Sequence, residues 1–91
     1  MKEKIYECEV KRQFMVAGKR EWRWRRAKAT EVDRNEKLRC CCCHGRVRLH
    51  KQQDDDGPKD HVEHMRRKDS ENCTLGHYFK GHAALSECPV N

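Results

Sequence analysis

Hydrophobic and polar positions alternate over residues 5–16. Tyr6, Cys8, Val10, Phe14 and Val16 fall in one row, with Arg12 breaking it. Glu7, Glu9, Lys11 and Gln13 fall in the other. A period of two is the signature of a strand with one buried side. Gly18 supplies a turn residue within Ala17-Gly18-Lys19-Arg20, and alternation resumes from Glu21 to Ala29. Trp22 and Trp24 share one face of that second run, and Arg23 and Arg25 share the other. On a helix the two tryptophans would point about 200° apart, so a strand accounts for them better. Residues 5–29 are therefore expected to form a β-hairpin.

Beyond it the pattern thins. Residues 30–37 are polar and read as a connector or one short helical turn. Val47 and Leu49 alternate with Arg46, Arg48 and His50, which predicts a strand leaving a cysteine cluster. Gln52 to Lys59 is an acidic turn with Gly57-Pro58 in it, and Asp60 to Met65 reads as a short returning strand. Residues 66–74 are polar, with Ser70 or Asn72 able to cap a short turn, and the tail after Gly76 has little periodicity.

Composition changes the picture at one point. Only 35% of the 91 residues are hydrophobic and 40% are charged. A core that thin supplies no more than roughly 3–5 kcal/mol, so a staple is expected. The N-terminus has charges throughout and no apolar run of signal-peptide length, and no stretch is apolar enough to span a membrane. A cytoplasmic chain is the expectation, and there disulfides do not persist. Seven cysteines, an odd number, with six histidines point to metal instead.

Within Cys40-Cys41-Cys42-Cys43 only Cys40 and Cys43 have the Cys-x-x-Cys spacing. That spacing lets a tight knuckle offer two thiolates to one tetrahedral ion, and Gly45 is the residue expected to take a positive φ and close it. Cys41 and Cys42 then project away. The second pair of ligands comes from downstream. His61 and His64 have the His-x-x-His spacing, with 17 residues between Cys43 and His61. Zinc sites of the two-cysteine, two-histidine class use separations of this order. Asp60 is placed to hold the free nitrogen of His61. If residues 61–64 form a strand, however, His61 and His64 point opposite ways. The rival set is then Cys40, Cys43, His64 and Cys73, with His77 and His82 as weaker candidates. Either set is closed, and leaves no position for an activated water. Cys8 sits in the inward row and reads as core.

Charge is concentrated ahead of the cysteines. Residues 10–28 carry eight Lys or Arg against Glu21 alone, while residues 29–91 are balanced. Trp22-Arg23-Trp24-Arg25-Arg26 mixes ring faces with guanidinium groups, the combination used by single-stranded nucleic-acid binders. With so few other large apolar groups, the tryptophans are expected to pack inward against Tyr6, Val10 and Phe14. Arg20, Arg23, Arg25, Arg26 and Lys28 are left as the candidate phosphate-contacting set. An acidic protein would satisfy the same charge.

The runs LRCCCCHGRVRLHKQQ, GPKDHVEH, DSENC, GHYFKG and PV resemble a family of small uncharacterised bacterial zinc-ribbon proteins over roughly residues 38–90. A looser similarity is to the zinc finger of CoiA-type competence proteins. The resemblance implies zinc held by Cys40, Cys43 and the histidines at 61 and 64. It implies no activity. The expected architecture is a small zinc-stabilised β-rich domain with little helix. Residues 1–37 form a basic hairpin and connector, and residues 38–91 a zinc-ribbon-like module.

The expected function is a non-enzymatic zinc ribbon that binds DNA or RNA through its hairpin. Two alternatives remain. In an HNH-type nuclease, Asp60-His61-Val62 would supply the general base, Asn72 would orient it and His82 would complete a catalytic metal site. In an adaptor, the basic face would meet an acidic protein partner. No membrane role is expected.

Overall fold

The structure is a computed structural model and describes residues 4–91. Residues 1–3, part of the charged N-terminus from which the absence of a leader is expected, lie outside the described residues.

Strands β1 (Glu7–Val16) and β2 (Lys19–Lys28) form the hairpin. Ala17 and Gly18 both have positive φ, 51° and 79°, so the turn is the two-residue kind whose twist matches its strands. It pairs Val16 with Lys19 and, further in, Gln13 with Trp22 and Lys11 with Trp24. A 3-10 turn at Ala29–Glu31 follows, its Glu31 carboxylate accepting the Lys28 N–H at 2.9 Å. The chain then returns as β3 (Lys37–Arg39) on the other edge of β1, giving the order β2-β1-β3. Glu36 positions this return, since Arg12 donates to its carboxylate at 2.8 Å. That bond holds Glu36 below the usual carboxylate range, and it explains the basic residue in an otherwise apolar row.

A second antiparallel pair, β4 (Val47–His50) and β5 (His61–His64), is joined by the acidic loop. It is tied to the first sheet by bridges between Ile5 and Val62 and between Arg39 and Arg46. One five-residue helix, α1 (Arg67–Glu71), completes the regular structure. The molecule is thus β-rich with almost no helix, and among the described residues no helix is long and apolar enough to cross a membrane.

The core lies where the two sheets meet. It consists of Cys8, Val10, Ala29, Val32, Leu38, Val47, Leu49 and Val62, together with Cys40, Cys43 and Cys73. Burial pushes the Cys8 thiol up to about 11, as suits a neutral core residue. Among the described residues no phenylalanine, tyrosine or tryptophan is buried.

The expectation that the tryptophans pack inward is corrected here. Directly opposed residues of a pair share a face. Trp22 and Trp24 therefore stand with Gln13 and Lys11, on the side away from Cys8 and Val10. Trp22 is 62% exposed. The arginines are divided by the same register. Arg20, Arg26 and Lys28 share the tryptophan face, while Arg23 and Arg25 stand on the other with Arg12 and Val10.

Candidate metal centre

Four side chains from three parts of the chain converge beside the core: Cys40, Cys43, His64 and Cys73, with their donor atoms all within 4.8 Å of one another. Cys40 follows directly on β3, so its position is inherited from the pairing of Arg39 with Glu9. The chain then folds back on itself. The Cys40 N–H donates to the Gly45 carbonyl at 2.8 Å, and the His44 N–H to the Cys40 carbonyl at 3.1 Å. Backbone amides face the sulfurs, Cys42 N–H donating to Cys40 Sγ at 3.4 Å and Gly45 N–H to Cys43 Sγ at 3.3 Å. This is the knuckle that the Cys-x-x-Cys spacing predicts, and Cys41 and Cys42 stand outside the cluster.

The positive φ falls on His44 (62°), not on Gly45 as expected. Gly45 is needed for a different reason. A Cβ there would lie 2.5 Å from Oδ2 and 2.8 Å from Cγ of Asp69, a buried carboxylate fixed by Ser86 Oγ at 2.7 Å. Gly45→Ala is expected to lower the thermal midpoint by roughly 5–15 °C, a loss of about 1–2 kcal/mol in a domain of this size. Calorimetry of the two proteins checks it.

The cluster also separates the two histidines. Along β5 successive side chains alternate, so His64 points with Val62 toward the cysteines while His61 points with Glu63 to the opposite side. His61 is therefore not in this cluster, and Cys73 completes it. Nor does Asp60 hold His61. Its carboxylate accepts the Gln52 N–H at 2.6 Å and lies 3.3 Å from Lys51, while the Lys59 carbonyl accepts from His61 Nδ1 at 2.7 Å. His77 and His82 are exposed and outside the cluster, and Asn72 lines a groove beside Cys43 and Cys73 rather than His61.

The chemistry of the donors fits an ion. Cys40 Sγ and Cys73 Sγ are 3.7 Å apart, far beyond the roughly 2.05 Å of a disulfide. Thiolates on a tetrahedral ion with bonds of about 2.3 Å stand about 3.8 Å apart. His64 Nε2 is buried with no hydrogen-bond partner. Burial lowers the His64 pKa, with the Asp69 carboxylate acting against the shift, so the neutral form that a ligand requires is favoured. At Cys40 a hydrogen bond with Cys41 lowers the pKa, but one with Cys43 and burial outweigh it and push the thiol up to about 12. A cation entering the cluster must displace those protons.

The remaining supports were not visible in the sequence. The tail has no regular structure, yet it wraps the knuckle. Ser86 N–H donates to the Cys43 carbonyl at 2.8 Å, and Val90 N–H to the His44 carbonyl at 2.9 Å. Asp69 sits in a polar stretch and Ser86 in a tail without periodicity, so the pattern carries no sign of the burial of either.

A family of unknown function, whose model matches residues 1–91, includes this chain. No curated protein and no solved structure matches it.

Proposed function

We propose that Cys40, Cys43, His64 and Cys73 hold one structural zinc ion, and that the tryptophan face of the hairpin binds single-stranded nucleic acid. Three sulfurs and one imidazole nitrogen are a donor set suited to zinc, and four protein ligands close its tetrahedral shell. The ion then has no place for a reacting water, and its role is to fix β3, β5 and the residues after α1 to one another.

The observation that carries the binding role is the exposure of Trp22 on the same face as Trp24, Arg20, Arg26 and Lys28. Trp24 is already backed, with the Arg39 guanidinium 4.0 Å and Lys11 Nζ 5.8 Å from its ring. Trp22 is left as an open ring beside positive charge. Arg26 is paired with Glu7 at 2.6 Å, whereas Arg20 and Lys28 stand at the two ends of β2. Bases stack on such a ring regardless of sequence, and the cations meet the phosphates. Charge alone would suit an acidic protein equally well; the exposed indole favours a base.

The test is fluorescence titration with short single-stranded DNA and RNA across a salt series. Binding should weaken with salt by roughly 0.7 log units per log unit for each phosphate neutralised. Trp22→Ala should cost about 1–3 kcal/mol, roughly 5- to 150-fold in affinity. The ring is exposed, so its removal should leave the melting temperature unchanged. Absence of binding at low salt, or a Trp22→Ala chain that binds like the wild type, sinks the proposal. Equal capture of a polyglutamate chain would move the reading to an acidic protein partner.

A further inference from the structure

On the opposite side of β5 from the cysteines, a second group of donors converges. His50 and His61 are direct cross-strand partners at the end of the β4–β5 pair where the acidic loop departs. Their rings are stacked at 5.0 Å with planes 16° apart. Glu63 stands two residues beyond His61 on the same face, and one donor atom from each of the three lies within 4.8 Å of the others. None of these contacts serves the cysteine cluster.

The hydrogen-bond arithmetic does not close at His61. His61 is 6% exposed, and its Nδ1 lies 2.7 Å from the Lys59 carbonyl. A carbonyl only accepts, so Nδ1 carries the proton and Nε2 of the neutral ring is left as an acceptor. That Nε2 faces Glu63 Oε1 at 3.5 Å, another acceptor. The other oxygen of the same carboxylate lies 3.4 Å from His50 Nε2, which is buried and has no hydrogen-bond partner. His61 Nε2 and the carboxylate thus face each other as acceptors, and His50 Nε2 turns a lone pair to the same point in the tautomer that carries its proton on Nδ1, an arrangement that a cation satisfies.

We infer that His50, His61 and Glu63 form a second metal site, selective for a borderline divalent cation such as zinc, cobalt or nickel. Imidazole nitrogens suit such ions, and two histidines with one carboxylate are a known donor set for them. The spacing agrees as well. Donors on a four-coordinate ion with bonds of about 2.0–2.1 Å stand about 3.4 Å apart. Both nitrogen–carboxylate distances are already near that value. The Lys59 carbonyl is the outer partner that a ligating histidine commonly has, fixing which nitrogen faces the metal. Unlike the cysteine site, this one has three protein ligands, and the Glu63 side chain is 57% exposed. A fourth position is therefore open to water or to an anionic group. The inference does not depend on the zinc site proposed above, because the two groups share no residue.

Cobalt(II) distinguishes them. The full chain is dialysed against cobalt chloride, bound metal is counted by elemental mass spectrometry, and the visible and near-ultraviolet spectra are recorded. Thiolate-bound cobalt shows sulfur-to-metal charge transfer, and cobalt on nitrogen and oxygen does not. The expected result is one bound cobalt per chain without charge transfer. It should be lost in both His50→Ala and Glu63→Gln, while the circular dichroism spectrum and any thiolate-bound ion are retained. Both substitutions are at partly exposed side chains, and Glu63→Gln preserves shape. Three results overturn the inference. The wild type could bind no cobalt outside the thiolate site, in which case protonated imidazoles account for the contacts. The extra ion could survive in both variants. Or the variants could lose the thiolate-bound ion with it.

Discussion

Treatment with a strong chelator is expected to unfold the chain, and Cys73→Ser or His64→Ala to reproduce that collapse without chelator. The reason is the poverty of the core. Its largest fully buried side chains are Val10 and Val62, followed by cysteines, and of the eleven buried hydrophobic residues among those described three are Cys40, Cys43 and Cys73 themselves. A folded domain has a net stability of only about 5–15 kcal/mol. Structural zinc in small domains contributes about 10–16 kcal/mol of apparent binding free energy, enough to exceed the whole of it. Loss of the proposed ion also leaves three buried thiols and the half-buried His64 imidazole with no common partner. The hairpin does not escape, because an isolated two-stranded ribbon is marginal in water and β3 is fixed through Cys40. Circular dichroism during chelation, with metal content measured alongside, checks the prediction. Cys42→Ser and Cys88→Ser, at exposed thiols, should behave as wild type. His61→Ala should keep the thiolate-held ion. An unchanged melting curve after complete metal removal would refute the structural role.

How far the sequence reveals this arrangement depends on how much each feature relies on local pattern. The hairpin and the β4–β5 pair are written in period-two runs and turn residues, and are legible. So is the knuckle, because two thiolates three residues apart have few other uses in a chain with this little core. The place of the tryptophans was legible too, but only through the turn. A two-residue loop at 17 and 18 forces paired positions to sum to 35, which sets 22 and 24 against 13 and 11, the polar row. The shortage of apolar groups argued for burying them, and the register overrode it.

The fourth member of the cluster turned on whether residues 61–64 adopt the strand. That is decided by pairing with β4 and by the bridge from Ile5, neither of which is a local property. His50 carries no mark of a ligand until the register sets it against His61. β3 is three residues long and exists because β1 offers it an edge. The tail is held by single hydrogen bonds to the knuckle, and such contacts leave no periodic trace.

The second large effect is expected at a residue with no chemistry of its own. Gly76→Ala should prevent stable folding or cost about 4 kcal/mol or more, beyond the range of ordinary substitutions. A Cβ at this position would lie 1.8 Å from the Ser70 carbonyl oxygen, 2.5 Å from its carbon and 2.6 Å from Ser70 Cα. All three are backbone atoms of α1, so no side-chain rotation relieves the clash. The segment bearing Gly76 or the helix must move. Neither can do so alone. The Gly76 N–H donates to the Cys73 carbonyl at 2.8 Å, and the helix carries Asp69, which packs on Gly45 and binds Ser86. Displacing Gly76 therefore displaces Cys73 from Cys40 and Cys43, and the substitution should lower bound zinc as well as stability. Gly57→Ala is the control, since its nearest contact is an ordinary 3.4 Å and its backbone is not left-handed. Thermal unfolding and metal content of the two variants decide the matter. If Gly76→Ala keeps a full equivalent of metal and melts as Gly57→Ala does, the close packing of residues 70 and 76 is not what holds Cys73 in place.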